Sequence, residues 1–402
     1  MTRTLPTRAR CAAALALVVG AALPAAADIG PAINPSIYAV PAGAKTVNVD
    51  CDARQTLAAA LADKSGADLN IVFSGTCKEY LYLQRDGVAL RGKDASATLA
   101  GALEITASRR VLLENFTCRD NEQLEYCIGA LAGSSVTLHN IKVFNSSIRG
   151  VLVFNSTAII EGLTVDKTAS TSILVRGSDV RMEGDLTFGH TIEGCMVVDG
   201  ASSVFSKSGV FTARDCAAGL VVQNNSAMQA PFATFNLNHN SVAGLMVLTH
   251  GTFSYGGTFS AKNNVQAGIY LDDASSFAPF TNIQSGSTVT LENNGNAGVY
   301  VAGGSLAELA NVTGNSGSNF GVLADAGIVR IRNSKVSDNK TADIRLVFGS
   351  RALIGDGASF GSLTCDGTQL MRGKTTTCTV DNKAASKPAD ATKPGDSKPG
   401  AR

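Results

Sequence analysis

The chain has no tryptophan, only 6% aromatic residues and only 17% Asp, Glu, Lys and Arg among its 402 residues. Low charge together with 45% hydrophobic residues excludes an intrinsically disordered chain, which needs the reverse balance. A formal net charge of +1 provides no electrostatic footprint for a nucleic acid, so no nucleic-acid partner is expected. No CxxC pair occurs, and none of the four histidines stands in ligand register with a cysteine pair. Neither a metal site nor a cofactor is therefore expected. Glycine, by contrast, is plentiful at 41 residues. The composition describes a Gly-rich, weakly charged, folded protein.

The stretch from Met1 to Ala27 reads as a secretory signal. Arg3, Arg8 and Arg10 form a basic start, Cys11–Leu23 an apolar run, and Ala25-Ala26-Ala27 a small-residue exit before Asp28. The apolar run is short for a membrane span, and the mature chain contains no other candidate. The protein is thus expected to be exported, to the periplasm or the medium. Losing the leader removes three basic residues and turns the formal charge from +1 to −2. It also removes Cys11, leaving eight cysteines. An even count in an exported protein favours disulfides. The eight fall into close pairs, Cys51 with Cys77, Cys118 with Cys127, Cys195 with Cys216 and Cys365 with Cys378. Spacing suggests neighbour pairing without fixing the connectivity.

A phrase recurs from Gly129 onward: one small residue, usually Gly, followed by mostly apolar ones. Its anchors are Gly129, Gly150, Ser172, Gly194, Gly219, Gly244, Gly268, Gly298, Gly321 and Asp343. Successive anchor numbers differ by 21, 22, 22, 25, 25, 24, 30, 23 and 22. A period in the low twenties signals a solenoid. The phrases are short, rich in β-branched residues and bounded by Gly, Asn, Asp and Ser, which is strand punctuation. Further short strands lie between them, such as Ala158-Ile-Ile-Glu, Val204-Phe-Ser and Ile328-Val-Arg-Ile. The Leu-x-x-Leu-x-Leu frame of leucine-rich repeats is missing. Three strands per turn predict an all-β fold, a single-stranded right-handed parallel β-helix. Four positions before six of the anchors stand His190, Asp215, Asn240, Asn264, Asn294 and Asn339. Such residues suit tight turns and, stacked, can pair along the solenoid.

In this coil pattern the chain resembles the pectin- and pectate-lyase-like β-helix superfamily, over roughly Thr46 to Cys378. The resemblance concerns fold and does not extend to a reaction. It implies a helical N-terminal cap. Here Asp52-Ala-Arg-Gln55 reads as a capping-box start for a helix through Ala62, with Leu57 and Leu61 on one face. Asn70–Ser74, Leu81–Leu83 and Val88–Gly92 read as the first strands, and Cys365–Cys378 as closing the last coil. The expected organisation is a leader (1–27), an extended Pro-containing segment (28–45), the β-helix with its cap (46–380) and a disordered Lys/Pro/Ala/Gly/Asp tail (381–402).

The superfamily's enzymes act on acidic polysaccharides, but their motifs are missing. Asp272-Asp273 and Arg330-Ile-Arg332 are weakly reminiscent of polygalacturonase-like hydrolases, yet no Asn-Thr-Asp exists and His250-Gly251 precedes the Asp pair. The pectate-lyase Arg-x-Pro-x-x-Arg and the mannuronan-epimerase Asp-Pro-His are absent. Geometry alone offers a turn row after each anchor strand, containing Arg176, Asp199, Gln223, Asn224, His250, Asp272, Asp273 and Asp325. On adjacent coils His250 is expected within about 5 Å of Asp272 or Asp273, a usable acid–base pair. Asp199, His250, Asp272 and Asp273 are thus the candidate catalytic residues, against the simpler reading that Asp and Asn stabilise turns.

Anchor +2 should face outward, because alternate strand residues face opposite sides. That position reads Leu131, Leu152, Leu174, Met196, Val221, Met246, Tyr270, Tyr300 and Leu323, ended by Arg345. An apolar strip of this length marks an interaction surface. Met246, Tyr270, Tyr300 and Leu323 are its candidate ligand or partner face. A homo-oligomer or protein partner, a sugar stacked on the tyrosines, or the chain's own 28–44 segment are the three candidate occupants. The sequence therefore reads as an exported binding or scaffolding module at or outside the cell envelope, with polysaccharide as ligand class. A divergent polysaccharide lyase, hydrolase or epimerase is the alternative.

Overall fold

The computed structural model describes residues 43–119, 124–280, 287–373 and 378–380. The leader, residues 28–42 of the extended segment, and the tail lie outside them. The described chain winds as a right-handed parallel β-helix with three strands per coil. The first face is a parallel sheet of 14 strands, one per coil, from Tyr80–Leu83 to Thr379–Val380. The second face holds strands such as Ser203–Ser206 and Thr252–Tyr255, and the third holds strands such as Val210–Arg214 and Thr258–Ser260. In the early coils the second and third faces share one long bent strand: Ser135–Ser146, Thr157–Thr168 and Asp179–Thr191. Asn140, Gly162 and Gly184 sit at the bends with φ of 51°, 80° and 70°, a left-handed geometry that favours Gly and Asn.

The repeat anchors become neighbours as the period requires. Ala243 pairs with Ala267 and Leu245 with Ile269, which sets Gly244 beside Gly268. The inward row Leu220, Leu245, Ile269, Val299 and Val322 is wholly buried. Two of the expected anchors are out of register. Ile128 pairs with Val151, so Cys127 and not Gly129 aligns with Gly150. Cys195 rather than Gly194 aligns with Gly219, because Met196 pairs with Leu220. Both slips follow from trusting glycine: the chain tolerates Cys, Ser or Asp at the same buried position. A shift by one residue exchanges the two sides of a strand, so Met196 is core and wholly buried, and Val197 takes its place outside.

Aromatic side chains fill the lumen of the middle coils. Phe235 lies with its ring centroid 5.2 Å from Phe211, 5.4 Å from Phe253 and 6.1 Å from Phe259. Phe277 stacks on Phe253 and on Tyr255. Tyr255 is buried, and its hydroxyl donates to the Ala310 carbonyl at 3.1 Å.

Two polar ladders line the corners. Where the third face turns into the first, Asn240, Asn264 and Asn294 are wholly buried. Asn240 and Asn264 each donate an amide to the carbonyl oxygen of the next Asn side chain, at 3.1 and 3.0 Å. His190 and Asp215 are not rungs. They stand one residue early, in left-handed turn positions with φ of 53° and 58°, while Thr191 and Cys216 occupy the ladder row. Where the first face turns into the second, an unforeseen serine ladder runs through Ser108, Ser134, Ser156, Ser178, Ser202 and Ser226. From Ser134 onward each hydroxyl accepts the preceding rung's N–H, at 3.1–3.3 Å. Serine is too common in loops for this row to stand out in a sequence.

All four neighbour disulfides are formed: Cys51–Cys77, Cys118–Cys127, Cys195–Cys216 and Cys365–Cys378. The first coil carries one short helix, Leu57–Leu61. Its N-cap is Thr56, not Asp52. The Asp52 carboxylate instead accepts from Thr76 N–H at 3.2 Å, and Glu79 caps the helix through the N–H groups of Leu57 and Ala58 at 2.7 and 2.9 Å. Among the described residues no helix is long and apolar enough to cross a membrane.

Candidate functional site

The corner between the first and second faces carries the expected catalytic residues, with Asp199 set apart from the other three. Asp199, Gln223, Leu248, Asp272, Ala302 and Asp325 follow one another on successive coils. Asp199 and Asp272 are therefore three steps apart, about 14 Å at the strand spacing. Asp199 is buried and engaged. It accepts from Nε and Nη2 of Arg176 at 2.7 and 2.6 Å and from Asn224 Nδ2 at 2.5 Å. An acid so paired is well suited to fixing the corner. His250 and Asp273 are adjacent through the main chain, the His250 N–H donating to the Asp273 carbonyl at 2.9 Å. Both residues are exposed, and both have left-handed φ, 62° and 58°. The turn itself thus accounts for an Asp at 273.

Asp272 has different company. Tyr270 and Tyr300 occupy the outward row of the first face, ring centroids 5.1 Å apart and planes inclined at 37°. The Tyr270 hydroxyl reaches Asp272 Oδ2 and the Tyr300 hydroxyl reaches Asp325 Oδ2, both at 3.4 Å. Burial, then the Asp272 carboxylate, pushes the Tyr270 phenol up to about 12. Burial and the Asp325 carboxylate push Tyr300 upward too. Both phenols are therefore neutral donors at neutral pH. Asp325 is raised above its ordinary value by burial, against the Tyr300 hydrogen bond, with Asp272 and Asp366 adding repulsion. Gly303 lies between these coils, and a β-carbon there would meet Asp272 Oδ1 at 2.4 Å. Its lack of a side chain leaves Asp272 free to turn toward Tyr270.

The raised Asp325 has a consequence for stability. A carboxyl whose folded pKa lies above its unfolded value binds the proton more tightly when folded, so stability falls as pH rises through that window. Asp325→Asn should therefore be neutral or stabilising at pH 7, by a few tenths to about 1 kcal/mol after solvent screening. The gain should vanish at pH 3. Thermal unfolding at the two pH values checks this, and a loss at pH 7 contradicts it.

The outward strip corrects to Gly129, Leu152, Leu174, Val197, Val221, Met246, Tyr270, Tyr300 and Leu323, because Leu131 pairs with Phe154 and Met196 is core. It is less open than its outward position suggests. Leu174, Val221 and Leu323 are only 7, 8 and 9% exposed, and Met246, Tyr270 and Tyr300 are half-buried. Side chains on coils about 4.8 Å apart shade one another. Arg345 ends the row with its guanidinium 5.4 Å from the centre of the Phe320 ring.

A second assembly escapes sequence reasoning. On the second face Glu114, His139, Glu161 and Glu183 stand on successive coils. Arg91 pairs with Glu114, and His139 Nδ1 lies 2.9 Å from Glu114 Oε1. Arg181 and Lys207 pair with Glu183. Burial raises the Glu114 carboxyl, but hydrogen bonds from Arg91 and His139 outweigh it and hold it below its ordinary value. The row has no motif signature, since its members stand a full coil apart in the chain and meet only through the register. Among the described residues, three potential metal-ligand atoms converge only at Cys51, Cys77 and Glu79. Both sulfurs there are tied in a disulfide, which removes the thiolates a metal would need.

A family model described as the right-handed beta helix region matches residues 69–210. No curated protein matches the chain. Similar solved structures include the catalytic domain of a GH87 alpha-1,3-glucanase in complex with nigerose, at 14% identity over 83% of this chain and 67% of that one, with a TM-score of 0.34. They also include two A-modules of Azotobacter vinelandii mannuronan C-5 epimerases. AlgE6 is 14% identical over 81% of this chain and 92% of its own, with a TM-score of 0.27. AlgE4 is 12% identical over 81% and 93%, with a TM-score of 0.26.

Proposed function

We propose that this is an exported β-helix protein that binds polysaccharide on its first face, with Tyr270 and Tyr300 as the platform. The leader-like start and the four disulfides support export. The observation that carries the binding reading is the tyrosine pair with its two carboxylate acceptors. Half-buried rings on adjacent coils offer apolar area to a sugar's C–H face, while Asp272 and Asp325 accept from its hydroxyls. The strip around them supplies a continuous apolar floor from Met246 to Leu323. Covering about 50 Å² of each ring's apolar face contributes roughly 1–1.5 kcal/mol per ring at about 25 cal/mol per Å². The double replacement Tyr270→Ala/Tyr300→Ala should thus weaken glycan binding by roughly 10- to 100-fold, converted at about 1.4 kcal/mol per tenfold. Calorimetric titration with neutral and acidic glycans measures this. Unchanged affinity in the double variant would sink the platform.

A second reading, a polysaccharide lyase, hydrolase or epimerase, draws support from the His139–Glu114 contact with Glu161 on the next coil. The corner residues Asp199, His250, Asp272 and Asp273 are its other candidates. Incubation with a glycan panel, followed by assay of unsaturated products and new reducing ends, separates the two. Product formation abolished by Glu161→Gln favours an enzyme working on the second face. Binding without product favours the module.

A further inference from the structure

A groove of about 600 Å³ follows the Asn-ladder corner, on the opposite edge of the first face from Asp272 and Asp325. One wall is a row of left-handed turn residues, Asp215, His239 and Asn263, with φ of 58°, 60° and 56°. This geometry projects their side chains away from the coil. The other wall carries Ile192, Ser241 and Val265. Ile192 is 77% exposed and Val265 64%, so both aliphatic side chains stand clear of the core. They stand three coils apart, about 14 Å at the strand spacing, with small residues between them. The groove is thus a saddle with an apolar knob at each end.

The chemistry of the lining narrows the occupant. The floor residue Asn240 spends its amide and its carbonyl oxygen inside the ladder. Main-chain groups along the walls are committed between coils: Ser241 N–H to Cys216, Val265 N–H to Asn240, and His239 N–H to Lys262. A peptide strand therefore finds no free ladder to join, and among the described residues no aromatic slot exists here for a polyproline segment. What remains is one carboxylate, an imidazole and a carboxamide that touch each other (Asn263 Nδ2 to His239 Nε2, 3.3 Å) with ring and amide atoms to spare, and hydroxyls, all facing two aliphatic knobs. Among the described residues no lysine or arginine lines the groove itself, and the neighbouring Arg214 lies with Nε 3.8 Å from Asp215 Oδ2, so its charge is matched by that carboxylate and no excess positive charge faces an anionic ligand. An uncharged ring compound carrying many hydroxyls matches both walls.

We infer that this corner binds a neutral oligosaccharide lying along the solenoid axis, with Ile192 and Val265 under its C–H faces and Asp215, His239 and Asn263 bonded to its hydroxyls. The ligand class deepens the carbohydrate reading above, but the site is separate from the tyrosine platform and stands or falls separately. The test uses the mature protein with cellohexaose, xylohexaose, maltohexaose and hexagalacturonate. Affinity is read by calorimetry, and the contact region by amide hydrogen exchange. The expected result is binding of at least one neutral hexasaccharide and not of hexagalacturonate. Protection should then appear in residues 190–193, 239–242 and 263–266. The variant Ile192→Asp/Val265→Asp, both changes being at exposed positions, should bind about tenfold or more weakly, the effect of losing about 1.4 kcal/mol or more, with an unchanged unfolding temperature. Absence of binding by any neutral hexasaccharide, preference for hexagalacturonate, or full affinity in the double variant overturns the inference. Protection confined to 268–273 and 298–304 also overturns it, while upholding the platform. Protection confined to the corner does the reverse.

Discussion

Phe235→Ala is expected to destabilise the protein by about 3–5 kcal/mol. The ring is 1% exposed and touches the aromatic side chains of Phe211, Phe253 and Phe259 on three sides. Truncation removes the transfer free energy of a benzyl group and leaves a cavity that the closed triangular coil cannot collapse to fill. Neighbouring coils also lose an edge-to-face partner. In a solenoid each coil contacts only its neighbours, so a weak coil in the middle uncouples the two halves. Chemical unfolding should therefore shift to lower denaturant and can split into two steps. A shift worth less than about 1 kcal/mol, well under the usual cost of emptying a core aromatic site, would mean that the rings do not pack as described.

Asn264→Ala should cost a comparable amount, about 3–6 kcal/mol, for a different reason: it orphans several buried polar groups at once, each costing about 1–3 kcal/mol. The side chain makes four contacts inside the corner. Its amide donates to the Leu237 carbonyl and to Asn294 Oδ1, both at 3.0 Å, and its oxygen accepts from Asn240 N–H at 2.9 Å and Asn240 Nδ2 at 3.1 Å. Alanine leaves the Leu237 carbonyl, the Asn240 N–H and the facing side-chain groups buried with fewer partners. Asn263→Gly, one residue earlier, is the control. That residue is exposed in the left-handed region at φ 56°, where glycine is at ease. Its effect should stay within about 0.5 kcal/mol. Equal effects at 263 and 264 would show that the ladder contributes nothing.

These contrasts show why the fold is more legible than the site. The period and the strand punctuation are one-dimensional signals from which coils and strands follow, and the cysteine spacings suggest the neighbour pairing that the four disulfides adopt without fixing it. The ladder is visible where it is built of Asn and blurred where Thr191 and Cys216 replace it, because His190 and Asp215 beside them look like turn residues and are. A slip of one position at Gly194 is enough to send Met196 to the wrong side. The sites are harder because their members are joined only by register. Tyr270 and Tyr300 are separated by the longest coil of the repeat, and their carboxylate partners differ, one just past the end of the same strand and the other a coil away. Glu114, His139, Glu161 and Glu183 carry no local pattern at all. His250 and Asp273 are the opposite case. The repeat brings them together as expected, but their meeting is a main-chain contact in a turn.

The tyrosine platform depends on one geometric fact, that the outward residues of the first face stand in a single file along the axis. Spin labels at Leu152→Cys and Arg345→Cys, with dipolar distance measurement, test this directly. The two positions are eight coil steps apart in the pairing register, so a straight file gives a narrow distribution near 38 Å, from about 4.8 Å per step. A broad distribution, or a mean departing from that distance by more than a third, would show that the file does not exist.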